Sequence, residues 1–262
     1  LDTMYGTTAK MLSVTLPEHS LKKLECQGDE EMKHIYDDEA DIRTKAAIRV
    51  MSLFFVGLII IAATTSPIAT GTKAGERAPA LEGKFYNGSG GWTTFNLESY
   101  WDSNWKEGDA SGQWVALEFM DTDCPYCVRS AEDMSVNSAD FDGSNPQWDG
   151  AVVNFIASVT ELDISGHDSS RAEIEAFRDK TTGQSCASSD CGSRPGSAHA
   201  FPYIDDLDQD NMKKWKVGGT PSYYLIQPDG IIAWSSSENP GEDLRDAILG
   251  LVTRESAQTD GA

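Results

Sequence analysis

The chain has 262 residues, enough for one or two domains, and its 39% hydrophobic content is that of a globular protein. Its 42 Asp and Glu against 21 Lys and Arg leave a formal net charge of -21. That balance excludes a nucleic-acid partner, because such binding rests on Lys and Arg neutralising phosphate, and it reads as a solvated acidic surface suited to salty surroundings.

Residues 1–45 are polar and charge-dense, with the acidic run Asp37-Asp38-Glu39, and are expected to be a disordered tail. Met32 and Met51 are candidate translation starts within this part of the chain. Residues 46–69 hold the one long apolar run, Val50 to Ala63, preceded by Arg43, Lys45 and Arg49. Continued through Ala69 it approaches the length of a membrane span, with the N-terminus on the cytoplasmic side by the positive-inside rule. Its strict apolar core is also that of a signal peptide, and Ala69-Thr70-Gly71 offers small residues for cleavage. Either reading, anchor or signal, exports the rest of the chain. Residues 70–91, rich in Gly, Ala and Lys, read as a linker, and 92–256 as one α/β domain.

Within that domain, Trp92 to Leu97 reads as an edge strand and Tyr100 to Gly112 as a short helix and a loop. Gln113 to Met120 reads as a buried strand. A helix follows from about Val128 to Asn137. Ala151–Val159 is a second buried strand, and Ser169 opens a helix to about Thr181. Asn211 to Lys216 suggests one helical turn. Ser222–Ile226 and Ile231–Trp234 form a hairpin about Pro228-Asp229-Gly230, and an amphipathic helix closes the chain between Gly241 and Arg254. His167 and His199 lie in polar loops and are expected to face solvent. No phosphate-cradling glycine loop or serine-nucleophile motif is present.

Cys124-Pro125-Tyr126-Cys127 carries the chemistry. Two cysteines with two residues between them can close and reopen a disulfide, and their place between a strand and a helix is a redox arrangement. Cys124 falls at the helix N-cap and Pro125 at the first helical position, where its missing N–H costs nothing. The N–H groups of Tyr126 and Cys127, with the helix dipole, then favour a Cys124 thiolate, and Cys127 becomes the resolving thiol. Asp121 and Asp123 act in the opposite direction. The alternative is a zinc site made with Cys186 and Cys191. The strand before, the helix after and the distant Gly219-Thr220-Pro221 favour redox chemistry, so no metal or cofactor is assigned. Cys186 and Cys191, with four residues between them in a Ser/Gly/Pro-rich loop, are expected to form a structural disulfide, consistent with an oxidising compartment.

The segment from Trp114 to the C-terminus resembles the extracytoplasmic, TlpA-like branch of the thioredoxin superfamily. The resemblance implies a thioredoxin-like fold, a central mixed sheet flanked by helices, with thiol–disulfide oxidoreductase activity on exported cysteine-containing proteins. The reductase direction is favoured over a disulfide-forming oxidase, and a thiol-redox partner would recycle the site. A thioredoxin-fold binding module with structural cysteines is the reading from another class. The family places an acid six positions before the first cysteine for proton transfer with the resolving thiol, and Glu118 stands there. It implies a cis bond at Pro221, facing the disulfide, and substrate contacts from Thr220, Pro125 and Tyr126. The chain departs from classical thioredoxin in Asp123, where tryptophan is usual, and in Pro-Tyr between the cysteines. The gap from Cys127 to Pro221 is also longer than in a minimal thioredoxin, and Ala151–Thr181 would supply the extra strand and helix.

Overall fold

The computed structural model describes residues 42–64 and 67–255. The expected disordered tail up to residue 41, the lone Cys26 within it, and residues 65–66 of the predicted span lie outside the described residues. The chain divides into two units at Ser66/Pro67.

In the first unit, helix α1 runs over Ile42–Thr64. Its apolar side chains from Ile48 to Ile61 are exposed on every side, so it has no single stripe to bury. Among the described residues, no helix is long and apolar enough to cross a membrane. Arg43, Lys45 and Arg49 occupy the first turns of α1. The apolar stretch after them is about 15 residues, roughly 22 Å at 1.5 Å per residue, against about 30 Å of hydrocarbon. The expected transmembrane anchor therefore finds no support in this helix, whose apolar stretch has the length of a signal-peptide core.

The second unit is a seven-stranded mixed sheet in the order β2-β1-β7-β4-β3-β8-β9. The strands are β1 (Glu82–Tyr86), β2 (Thr93–Asn96), β3 (Gln113–Met120), β4 (Val152–Thr160), β7 (Tyr203–Asp206), β8 (Ser222–Ile226) and β9 (Ile232–Ser235). A separate two-stranded hairpin, β5 (Ser185–Cys186) with β6 (Ser189–Asp190), precedes β7. Central β3 pairs parallel with β4 and antiparallel with β8. Side chains alternate across β3 because the strand period is two. Trp114, Ala116 and Met120 join the core under helices α2 (Pro125–Phe141), α3 (Arg171–Asp179) and α5 (Leu244–Leu251). Val115, Leu117 and Phe119 join the opposite core with Leu81, Leu97, Trp215 and Ile232. A short helix α4 (Asp210–Lys214) follows β7. Helices on both faces of a mixed sheet make the thioredoxin-like fold that the motifs implied.

Two expectations give way here. Residues 70–91 are not a linker: they hold β1, which pairs with both β2 and β7, and Leu81 and Ala78 are buried. The glycine- and lysine-rich composition hid a strand whose partner, β7, lies more than 100 residues downstream. His199 is not solvent-facing. It is 2% exposed, stacks on Phe201 at 4.7 Å, and meets the Tyr203 hydroxyl at 2.6 Å and the Ala131 carbonyl at 2.8 Å. Burial holds its imidazole down to about 3.

Candidate redox site

β3 ends at Met120, and the chain turns through Asp121-Thr122-Asp123 into α2. Cys124 is the N-cap with extended backbone (φ -79°, ψ 117°), and Pro125 opens the helix. Cys124 and Cys127 are free and buried, at 5% and 1% exposure. One turn of helix separates their roles. The Cys127 thiol donates to the Cys124 sulfur and is the largest cause lowering Cys124 to about 5. Burial opposes it, and Thr220 and the N–H groups of Cys127 and Tyr126 add to it. Cys127 is pushed well up by burial, by the same shared hydrogen bond, and by the nearby Glu118. Cys124 is thus the group that ionises and Cys127 the one that holds its proton.

The second wall comes from the start of β8. The Thr220–Pro221 peptide is cis, and the Cys124 Sγ lies 3.4 Å from the Thr220 carbonyl oxygen. The Thr220 Oγ1 is buried and has no other hydrogen-bond partner among the described residues. Tyr126, between the cysteines, is 65% exposed, with the Arg129 guanidinium 4.3 Å over its ring. Pro125, Tyr126 and Thr220 therefore all border the nucleophile.

Behind the cysteines, Glu118 sits on β3 opposite Ala157 of β4 and Tyr223 of β8. By alternation it points to the α2 face, and it is 2% exposed. Burial raises its carboxyl to about 8, against a hydrogen bond from Tyr223 that lowers it. A carboxyl that changes charge near neutral pH beside a thiol is a competent proton carrier.

Several contacts that frame the site were not read from the sequence. The carboxylate of fully buried Asp121 accepts from the N–H groups of Asp123 (2.8 Å) and Leu162 (2.9 Å) and from the Ser169 hydroxyl (3.1 Å). It also meets His167 Nδ1 at 2.7 Å. His167, expected in solvent, is therefore part of the site's frame, with a side chain only 14% exposed. Asp123 accepts from the N–H groups of Asp168 (3.0 Å) and Ala187 (3.2 Å). Arg194 is 2% exposed and gives its guanidinium to the carbonyls of Phe177, Pro195, Arg178 and Ser197. Its charge acts on Glu118. The only hint of these roles was their position in loops that separate strongly patterned elements.

Cys186 and Cys191 are joined as a disulfide with Cα atoms 4.9 Å apart, closing the β5–β6 hairpin. Bonded to each other, Cys186 and Cys191 are not free thiolates for the alternative zinc site.

Comparison with known proteins matches residues 74–235 to the AhpC/TSA family. No curated protein matches the chain. Among solved structures, the chain is similar to a reduced 2-Cys peroxiredoxin of Plasmodium vivax, at 16% identity over 62% of this chain and 70% of that one, TM-score 0.42. It is similar to a secreted Mycobacterium tuberculosis disulfide oxidoreductase, described as homologous to E. coli DsbE, at 18% identity over 61% and 90%, TM-score 0.37. It is also similar to the thioredoxin domain of a Bacteroides vulgatus thiol-disulfide oxidoreductase, at 18% identity over 69% and 99%, TM-score 0.43.

Proposed function

Since the chain belongs to the AhpC/TSA family, we propose that it is a thiol–disulfide oxidoreductase of the extracytoplasmic, TlpA-like kind, using Cys124 and Cys127 on protein cysteines. The observation that carries this reading is the division of labour between two free cysteines. One is ionised at a helix N-terminus against a cis-proline loop, and the other is protonated beside a buried carboxyl.

In the reducing direction, the Cys124 thiolate attacks a substrate disulfide. A mixed disulfide forms on Cys124, and one substrate sulfur leaves as a thiolate and takes a proton from solvent. Glu118 accepts the Cys127 proton. The Cys127 sulfur then attacks Cys124, the second substrate sulfur departs as a thiolate and takes up the proton held by Glu118, and Cys124–Cys127 is left oxidised with two electrons transferred. The Thr220 backbone, whose carbonyl lies 3.4 Å from the Cys124 Sγ, suits contact with an extended substrate segment, and exposed Tyr126 offers it an aromatic face. A recycling thiol partner returns the site to the dithiol form.

Export is part of this proposal. Basic residues before the apolar stretch of α1 suit a signal peptide, and the Cys186–Cys191 disulfide suits an oxidising space.

One observation favours the oxidase reading. Lowering Cys124 to about 5 stabilises the dithiol form, and a stabilised dithiol makes the disulfide a stronger oxidant. Measuring the Cys124–Cys127 potential separates the two: about -270 mV, the thioredoxin value, means reductase, and about -120 mV, the DsbA value, means oxidase. The activity itself is tested by reduction of insulin disulfides under dithiothreitol and by trapping. Cys127→Ser should accumulate mixed disulfides on Cys124, and Cys124→Ser should accumulate none. Neither activity nor trapping would return the protein to a binding role.

A further inference from the structure

A carboxyl that takes a proton from Cys127 in every turnover has to give it up again, and buried Glu118 has no exposed edge from which to do so. The groups that face it are Cys124 and Cys127 of α2, Tyr203 of β7, Arg194 beyond the β5–β6 hairpin, and Tyr223 of β8. All of these but Tyr223 are buried. Tyr223 stands directly opposite Glu118 in the antiparallel β3–β8 ladder, so the two side chains rise from the same face of the sheet as cross-strand neighbours. Its N–H donates to the Ser236 hydroxyl at 2.9 Å, which fixes the strand there. Its hydroxyl is shared between the Glu118 carboxyl and the Ser130 hydroxyl. Ser130 lies one turn beyond Cys127 on α2 and donates to the Cys127 carbonyl at 3.2 Å. Tyr223 and Ser130 both line a cavity of about 380 Å³ between α2 and the start of α5. Exposed Glu132, Asp133 and Asp243 on its wall carry it to the surface. Its lining includes neither cysteine, nor Tyr126, Thr220 or Pro221.

We propose that the Tyr223 hydroxyl is the relay through which Glu118 exchanges protons with water in this cavity, on a path separate from the substrate's. Tyr223 acts through Glu118 and is a positioning residue for the proton. The inference rests on the reading of Cys127 as resolving thiol and Glu118 as its proton carrier. When Glu118 holds the proton, its O–H donates to the Tyr223 oxygen and the Tyr223 hydroxyl turns to Ser130. One proton then passes along each bond, from Glu118 to Tyr223, from Tyr223 to Ser130 and from Ser130 to water. Both hydroxyls end as they began, Glu118 is left a carboxylate, and water carries one proton away. The departing substrate thiolate takes its proton from the same solvent.

The test mixes the reduced protein in stopped flow with excess dithiobis-nitrobenzoate, whose coloured thiolate leaves without needing a proton. The first phase is attack by Cys124 and scales with reagent, and the second is attack by Cys127 and does not. In Tyr223→Phe the first phase should be unchanged. The second should slow by about tenfold at about pH 7, the worth of one hydrogen bond to a charged group. The loss should vanish above about pH 9, where Glu118 enters the step already ionised. Imidazole, raised at constant pH and ionic strength, should recover most of the loss and leave the wild type unchanged. A mobile base replaces a missing relay but not a missing packing contact. A wild-type second phase in Tyr223→Phe overturns the proposal, and so does a slowed one that imidazole does not help. Should that variant not fold, Ser130→Ala, at a partly exposed position of α2, is read in the same way. Glu118→Gln separates the relay from the reading beneath it. If it slows the second phase and Tyr223→Phe does not, the relay alone fails. If it too leaves the second phase unchanged, Glu118 is not the carrier and both fall. Failure of insulin reduction with the expected phases intact would defeat the proposed function alone.

Discussion

Glu118 and Cys124 pull the pH dependence of stability in opposite directions. Glu118 is raised from 4.5 to about 8 in the fold. Between those values the native state holds a proton that the unfolded chain has lost, so stability falls as pH rises. Cys124 is lowered from 9.0 to about 5. Between those values the unfolded chain holds the extra proton, so stability rises with pH. Over roughly pH 5 to 8 the two slopes oppose each other in the reduced protein. Relative to wild type, Glu118→Gln should become progressively more stable from pH 5 to 8, and Cys124→Ser should show the converse trend. Denaturant titrations of the reduced proteins at three pH values check both. A parallel set of curves would mean that neither group is perturbed as described. Glu118→Gln should also slow release of trapped substrate more than initial attack, since only the second step uses the Cys127 proton. Of this site, the two cysteines were legible in their local spacing between a strand and a helix, whereas Glu118 and Pro221 were named through the family resemblance. The contacts of Asp121, His167 and Arg194 were not legible, since their partners come from loops whose paths no periodicity reveals.

The β5–β6 hairpin shows what an element can add to the site. Its two central residues, Ala187 and Ser188, both have left-handed backbone (φ 48° and 66°), the geometry of a tight hairpin turn that usually selects Asn and Gly. The disulfide and the Ala187 N–H bond to Asp123 hold this turn in place. Ser188→Gly removes the Cβ from a left-handed position and should stabilise the protein by about 1 kcal/mol, read as a raised melting temperature. Replacing both Cys186 and Cys191 by serine should cost about 2 kcal/mol, from the entropy of a short closed loop. If that double variant were as stable as wild type, the bridge would not be holding the element. The sequence signalled the bridge through cysteine spacing, yet gave no sign of the turn, because Ala-Ser is not a turn signature. The same limit explains β1 and β7. Each is a short strand whose pairing is decided by distant neighbours, whereas β3, β4 and the β8–β9 hairpin announce themselves by apolar runs and turn residues.

At the scale of the whole molecule, the net charge of -21 is self-repulsive, and only 21 basic residues are available to offset it. Arg171, Arg178 and Arg245 form Arg–carboxylate pairs. Added salt should therefore stabilise the protein. The melting temperature should climb between about 0.05 and 1 M sodium chloride, as the screening length shortens from well above to below the spacing of surface charges. A flat or falling profile would locate the acidic groups in pairings that salt disrupts. The antiparallel ladder between β3 and β8 has a further consequence. The strand that delivers Cys124 ends at the same edge of the sheet where the strand carrying Pro221 begins. Everything the chain does between α2 and that second strand is a detour that returns to its starting point. The detour, which here runs through β4, α3 and the bridged hairpin, can change in length while the two halves of the clasp stay in register. Novelty in such a molecule is thus free to accumulate in the excursion, while the two cysteines and Pro221 stay fixed at its neck.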